Sequence, residues 1–215
     1  MLKLDDHGLI PAICQDHLSG QVRMLAYMNA EALRLTVETG KATFFSRSRN
    51  KLWTKGETSG HFLSVVSVVA DCDADTLLLS VLPHGPSCHT GRPACFFRQV
   101  SASGELTDLP REVTPFLMQL GEVLESRKLS TVEKSYTKSL LSGGPEKIGA
   151  KIREEASELA DAVASESDER VLSEAADVLY HAMVGLTQRG LTLRQVIEVL
   201  AQRTHQSGLA EKASR

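Results

Sequence analysis

Apolar and polar residues alternate with a period of two over residues 9–14 and 21–28, on either side of the turn-forming stretch Asp16-His-Leu-Ser-Gly20. This pattern predicts a β-hairpin, because successive side chains of a strand leave by opposite faces. A helix is expected next: Asn29 is a good N-cap, Glu31 suits the positive end of the helix dipole, and Gly40 is placed to stop it. Further β-like runs cover residues 42–46, 61–70, 76–82 and 94–100, and together they read as an antiparallel sheet with one helix. Between the last two lies Pro83-His-Gly-Pro-Ser-Cys-His-Thr-Gly-Arg-Pro93, whose glycines and prolines describe an ordered loop.

Beyond residue 100 the pattern changes. Residues 101–113 are small, polar and without strong periodicity, which marks a linker. From there the period is about 3.6, and residues 114–126, 149–165, 168–188 and 193–206 read as helices, with Ser142-Gly-Gly-Pro145 as a break before the second. The expected fold class is α+β: an N-terminal antiparallel β-rich domain with a helix over residues 1–100, then an all-α helical-bundle domain over 114–215.

Composition divides the chain at the same place. Residues 1–100 hold all four cysteines, five of the seven histidines and most of the aromatic rings. They carry 10 Lys/Arg against 9 Asp/Glu, whereas the remainder carries 14 against 18. A net charge of -3 removes any general electrostatic case for nucleic acid or a membrane surface. No stretch approaches the ~18 consecutive apolar residues of a membrane span, and the N-terminus lacks a secretory pattern. A cytoplasmic protein is expected, in which unpaired cysteines serve metal binding or burial rather than disulfides.

Two constellations carry candidate chemistry. In Asp71-Cys-Asp-Ala-Asp75, three carboxylates occupy alternate positions with Cys72 between two of them, and Cys88 and Cys95 follow. If the segment is a strand, Asp71, Asp73 and Asp75 line one face as hard ligands for Mg²⁺, while Cys72 on the other suits Zn²⁺. The competing reading is a solvated Asp-rich turn beside buried thiols. The second constellation is helical. On a wheel stepped by about 100° per residue from Ile148, Ile152, Ala156, Leu159 and Val163 form an apolar stripe, with Glu154, Glu155 and Glu158 on its flank. The next helix repeats the design, Ala175, Leu179, Ala182 and Leu186 flanked by Glu174 and Asp177. Antiparallel packing would bring five acids onto one or two Mg²⁺ ions; an ordinary water-facing acidic surface is the alternative.

The first hundred residues resemble phosphoribosyl-AMP cyclohydrolase, through Ser46-Arg-Ser-Arg49, Leu52-Trp-Thr-Lys-Gly-Glu-Thr-Ser-Gly60, the Asp71–Asp75 motif and Cys88-His-Thr-Gly91 with Cys95. Residues from about 114 onward resemble phosphoribosyl-ATP pyrophosphohydrolase, through Ser135-Tyr-Thr137, Glu154-Glu155-x-x-Glu158 and Glu174-x-x-Asp177 leading into Leu179-Tyr-His181. The resemblance implies a bifunctional enzyme of histidine biosynthesis, its second domain of the nucleotide-pyrophosphatase type. That domain would release pyrophosphate from phosphoribosyl-ATP using Mg²⁺ on Glu154, Glu155, Glu158, Glu174 and Asp177. The first would open the adenine ring of phosphoribosyl-AMP between N1 and C6, with one Zn²⁺ on Cys72, Cys88 and Cys95 and Mg²⁺ on Asp71, Asp73 and Asp75. In such relatives the zinc ligands come from two subunits, which implies a homodimer.

Further assignments go with that resemblance. His89 is the candidate proton shuttle, and Arg47, Arg49 and Lys55 are candidates to bind substrate phosphate, as are Lys138, Lys147 and Lys151 in the second domain. Trp53 is read as packing, Cys14 as a buried thiol, and His61 stands where the family often has an amide. Two other readings compete: a house-cleaning nucleoside triphosphate pyrophosphatase, and a structural zinc module, with His84 or His89 as fourth ligand, joined to a helical dimerisation domain.

Overall fold

A computed structural model describes residues 1–129 and 135–204. The chain forms two units, the first Met1–Pro115 and the second starting at Phe116.

The first unit begins with the hairpin of β1 (Ile10–Asp16) and β2 (Val22–Met28). Every second residue of β1 is buried, so Ile10, Ala12 and Cys14 enter the core as the alternation predicts. Helix α1 (Ala30–Thr39) follows; the Asn29 side chain accepts from the Ala32 N–H, and Gly40 ends the helix in the left-handed region. β3 (Thr43–Ser46) pairs with β4 (Lys51–Thr54), a strand that the periodicity did not signal. β5 (Leu63–Ala70) and β6 (Leu77–Pro83) complete a four-stranded sheet in the order β2-β1-β6-β5. Here the expectation of antiparallel pairing needs one amendment, because β1 and β6 run parallel. The intervening helix and β3–β4 ribbon supply the crossover that such a pair requires.

The core of this unit joins Ile10, Met28, Phe44, Leu63, Leu79 and Val81, all essentially inaccessible. Burying side chains of this size contributes about 1.5–3 kcal/mol each. Cys14 is fully buried among them, and burial pushes its thiol up to about 12, in keeping with an inert apolar residue. Of residues 94–100, only Arg98–Val100 is a strand, β7, and it pairs with β8 (Leu106–Asp108) inside the stretch read as a linker.

The second unit contains α2 (Phe116–Leu129), α3 (Tyr136–Ser142), α4 (Gly144–Ser165), α5 (Asp168–Gln188) and α6 (Leu193–Arg203). The expectation for Gln206 lies outside the described residues. α4 starts at Gly144 rather than at 149, because Pro145 sits in its first turn, where the missing N–H costs nothing. α3 was not anticipated: seven residues are too few for a clear period. α6 opens with a capping box between Thr192 and Gln195.

The two-residue connection Glu166–Ser167 folds α5 back along α4, so that Gly185 lies under Ile148 and Ile152. The seam between them differs from the expected apolar stripe. Ile148, Glu155 and Ala162 are buried on α4, and Glu174 and His181 on α5, whereas Val163 is 66% exposed and Ala156 and Ala175 are open. Residues seven apart drift by only ~20° on a helix, so the seam follows every seventh position and carries Glu155 and Glu174 inward. The wheel centred on apolar character placed these acids on a flank.

Candidate functional site

Asp71–Asp75 is a turn, not a strand, which corrects the alternating-face argument. It closes the β5–β6 hairpin, with Ala74 at φ 64°. The three aspartates nevertheless converge, offering carboxylate oxygens within 4.8 Å of one another. The turn is built by Asp71, whose Oδ1 accepts from the Asp75 and Thr76 N–H groups at 3.0 and 3.1 Å. Burial opposes ionisation of Asp71, but these N–H donors outweigh it and hold the carboxyl below its ordinary value. All three are exposed.

Cys88 and Cys95 meet at a second place in the same unit, an open cleft of about 540 Å³ that His89, Lys55 and Arg49 also line. The loop after β6 is pinned here by Cys88 N–H donating to the Arg92 carbonyl and Cys95 N–H to the Arg23 carbonyl, at 3.1 and 2.8 Å. Burial raises the Cys88 thiol, yet the Thr90 hydroxyl, donating to its Sγ at 3.1 Å, helps bring it below the ordinary value. Cys95 is pushed up to about 11, first by burial and then by the neighbouring Cys88 charge. His89 Nδ1 lies 3.9 Å from Cys88 Sγ. Cys72 is exposed in the β5–β6 turn and is not part of this cleft.

Among the candidate phosphate residues, Arg49 and Lys55 line the cleft while Arg47 lies over the Tyr27 ring at 4.0 Å. Lys55 is largely buried; Nζ donates to the His61 carbonyl at 3.3 Å, and desolvation lowers its pKa against the opposing pull of Cys95 and Cys88. Trp53 packs on Phe44 with ring centroids 5.0 Å apart and also forms cleft wall. His84 bonds Ser64 Oγ at 2.8 Å and does not line the cleft, so it is engaged away from the thiols.

Gly56 shapes this wall. It has φ 91°, and a Cβ there would stand 2.5 Å from the Phe62 nitrogen and 2.6 Å from the His61 carbonyl carbon. Gly56→Ala is therefore expected to destabilise the unit by about 1–3 kcal/mol. Denaturant unfolding followed by the fluorescence of Trp53, the single tryptophan, measures this; an unchanged midpoint would refute the clash.

The second unit gathers Glu155, Glu158 and Glu174, with carboxylate oxygens within 4.8 Å of one another. Glu155 and Glu174 are buried. Desolvation, followed by the opposing Arg170 and the adding charge of Glu158, sets Glu174 above its ordinary value. Lys151 reaches Glu155 at 2.7 Å and Glu154 at 3.0 Å, while Arg170 reaches Glu174 at 2.7 Å. These cations stand where a concentration of negative charge calls for positive partners. Glu154 and Asp177 are exposed and outside the close group, although the Asp177 charge acts on Glu174. Of the candidate phosphate lysines, Lys151 is thus committed to glutamates, and Lys147 Nζ donates to the Ser139 carbonyl.

His181 is buried beside the trio, its Nε2 2.9 Å from the Tyr136 hydroxyl and its Nδ1 2.8 Å from the Asp177 carbonyl. Nδ1 faces acceptors, the Asp177 carbonyl and Glu155 Oε1 at 3.8 Å, so this nitrogen carries a proton. Thr137 bonds the Tyr180 hydroxyl at 2.7 Å, a second tie from α3 to α5. Sequence reasoning missed one residue altogether, the buried Arg23 of β2; a single charge within an otherwise apolar strand was the available signal.

The donor sets suit different metals. Two thiols beside an imidazole form part of a soft site of the kind zinc prefers, whereas three clustered carboxylates suit a hard cation. Within one chain the cleft brings together Cys88 and Cys95, whereas Cys72 is exposed on the β5–β6 turn.

Residues 24–97 match the family model of phosphoribosyl-AMP cyclohydrolase, and residues 117–204 that of phosphoribosyl-ATP pyrophosphohydrolase. Among curated relatives, the histidine biosynthesis bifunctional protein HisIE of Wolinella succinogenes is 45% identical over 98% of this chain and 94% of its own length. The proteins of the same name from Photobacterium profundum and Caldanaerobacter subterraneus are 47% and 44% identical, over 91% and 94% of this chain and 92% and 96% of theirs.

Proposed function

The chain belongs to the family of bifunctional histidine-biosynthesis enzymes that join these two hydrolases, and from that premise we propose how its residues divide the work. It is a hydrolase of two consecutive steps. The C-terminal unit converts phosphoribosyl-ATP to phosphoribosyl-AMP and pyrophosphate, and the N-terminal unit then opens the adenine ring between N1 and C6.

The observation that carries the proposed division is the separation of donor types: thiols at one cleft, clustered carboxylates on α4 and α5. Cys88 and Cys95, completed by Cys72 of a second copy, hold Zn²⁺ in a homodimer. When bound, the zinc supplies a Lewis acid that lowers the pKa of the attacking water. Arg49 and Lys55, with Arg47, supply positive charge that orients the nucleotide phosphate, and Asp71, Asp73 and Asp75 would contribute by holding Mg²⁺. His89 moves the proton: with Nδ1 towards Cys88, Nε2 is the nitrogen left to take it from water and return it to N1 as the N1–C6 bond breaks.

In the C-terminal unit Glu155, Glu158 and Glu174 hold Mg²⁺, with Glu154 and Asp177 at its margin. That ion neutralises phosphate charge when bound, since phosphoryl transfer is mainly a matter of position and electrostatics. We assign residues 1–100 and 114–215 to the two activities, with 101–113 joining them, and place the enzyme in the cytoplasm; no described helix is long and apolar enough to cross a membrane.

Metal-free protein supplied with phosphoribosyl-ATP tests this. Mg²⁺ alone is expected to restore pyrophosphate release, and ring opening is expected to follow once Zn²⁺ reaches one per chain. Ring opening at full rate without zinc would overturn the assignment. Because burial and then Cys88 hold Cys95 at about 11, its thiol is protonated at neutral pH before metal binds. Zinc must displace that proton, so affinity rises about tenfold per pH unit for each proton released. Calorimetry in two buffers of different ionisation enthalpy counts the protons; a pH-independent affinity would contradict the thiolate site.

A further inference from the structure

We propose that Arg23 is a positioning residue for the two cleft cysteines, holding both ends of the loop that carries them. The inference rests on the reading that Cys88 and Cys95 bind zinc. Arg23 lies on β2 and is 8% exposed. A guanidinium so deeply buried must have its donors satisfied, and its planar fork fixes where those partners stand. Nη1 donates to Gln21 Oε1 at 3.0 Å and lies 3.9 Å from Asp16 Oδ2. Asp16 is itself buried, its Oδ1 accepting from the Leu18 and Ser19 N–H groups. The strand side of the molecule therefore orients the fork.

Two further donors go to the cysteine loop. Nε donates to Ser87 Oγ at 3.1 Å and Nη2 to the Gly85 carbonyl at 3.3 Å. Ser87 immediately precedes Cys88. The Arg23 carbonyl accepts from the Cys95 N–H at 2.8 Å, so the same residue holds Cys95 by its backbone. Ser87 and Cys88 are closed onto Pro93 and Arg92 by further main-chain bonds of 3.1 Å each. Both thiols are thus referenced to one rigid point on the sheet. Metal chelation needs donors held to about 0.5 Å. A flexible loop between residues 83 and 93 would not supply that by itself; a five-donor fork anchored in the sheet does.

Removing an outer partner that orients a metal ligand weakens metal binding by roughly 10–100-fold. The test is zinc affinity of the full-length protein, measured by competition with a chromophoric chelator, together with the sulfur-to-metal charge-transfer band of the Co²⁺-loaded form. Arg23→Leu is expected to bind zinc at least tenfold more weakly, with a diminished or shifted cobalt band, while far-UV circular dichroism and pyrophosphate release are unchanged. Arg23→Lys keeps the charge but not the fork and should fall between. If Arg23→Leu fails to fold, Ser87→Ala, which removes one partner of the fork, should still weaken zinc several-fold.

Wild-type affinity and spectrum in the folded Arg23→Leu protein, whatever happens to its melting temperature, would show a purely structural arginine. In its place, the same result for Ser87→Ala would show it too. Failure of the wild-type protein itself to take up zinc would instead remove the zinc reading, and this inference with it.

Discussion

Glu158→Gln is expected to lower kcat/KM for pyrophosphate release about a thousandfold while leaving the fold intact and the ring-opening step unaffected. Glu158 is exposed, yet it offers its carboxylate within 4.8 Å of those of Glu155 and Glu174. The glutamine has the same shape and lacks only the charge. A metal's stabilisation of transition-state charge is worth several kcal/mol, and roughly 4 kcal/mol corresponds to a thousandfold in rate. Stability should move the other way or not at all. Glu158 is one of the charges raising the pKa of Glu174, so its neutralisation relieves repulsion between the helices. The combination separates a functional acid from a structural one. Steady-state assays of both steps with a thermal melt measure it; retained pyrophosphate release in a stable variant would remove Glu158 from the site.

Cys88→Ser and Cys72→Ser are each expected to abolish ring opening, by a thousandfold or more on the same Lewis-acid scale, and to leave pyrophosphate release intact. These two residues stand at different places in one chain, Cys88 in the cleft and Cys72 exposed on the β5–β6 turn. Equal losses from both would already point to a site assembled from two copies. Complementation is sharper. In a two-fold dimer with shared sites, co-expressing the two inactive variants makes mixed dimers in which one site has every cysteine and the other has lost two. Random pairing then restores about a quarter of the wild-type rate. No recovery on mixing, with mixed dimers verified by mass, would show that each zinc site is made by a single chain. The prediction is independent of Arg23, whose substitution weakens a site rather than deleting a ligand.

Much of the local structure was legible in the chain. The hairpin around residues 16–20, the Asn29 cap, the Gly40 stop and the full span of α5 all depend on neighbours a few positions away. Candidate residues were legible as types at a spacing, but their arrangement was not. Asp71, Asp73 and Asp75 were expected to align by strand alternation; they converge because Asp71 caps a tight turn. Cys72, next to Asp71 in sequence, is exposed on that turn and is not in the cleft with Cys88 and Cys95.

The helical acids show the same boundary. Their placement on one arc follows from the 3.6-residue repeat, but which of them meet depends on where two helices touch. α4 and α5 touch along Ile148, Glu155, Glu174 and His181, so Glu155 and Glu174 are buried while Glu154 is left to solvent and Lys151. Sequence alone determined most of the elements, the change of period near residue 100 and which side-chain types are candidates to bind metal, because backbone preference and side-chain chemistry are local. Only tertiary structure decided the parallel β1–β6 pair, the heptad seam and the grip of Arg23 on residues 85 and 87. These rest on contacts between segments tens of residues apart, whose energies belong to the packed interface rather than to either stretch of chain.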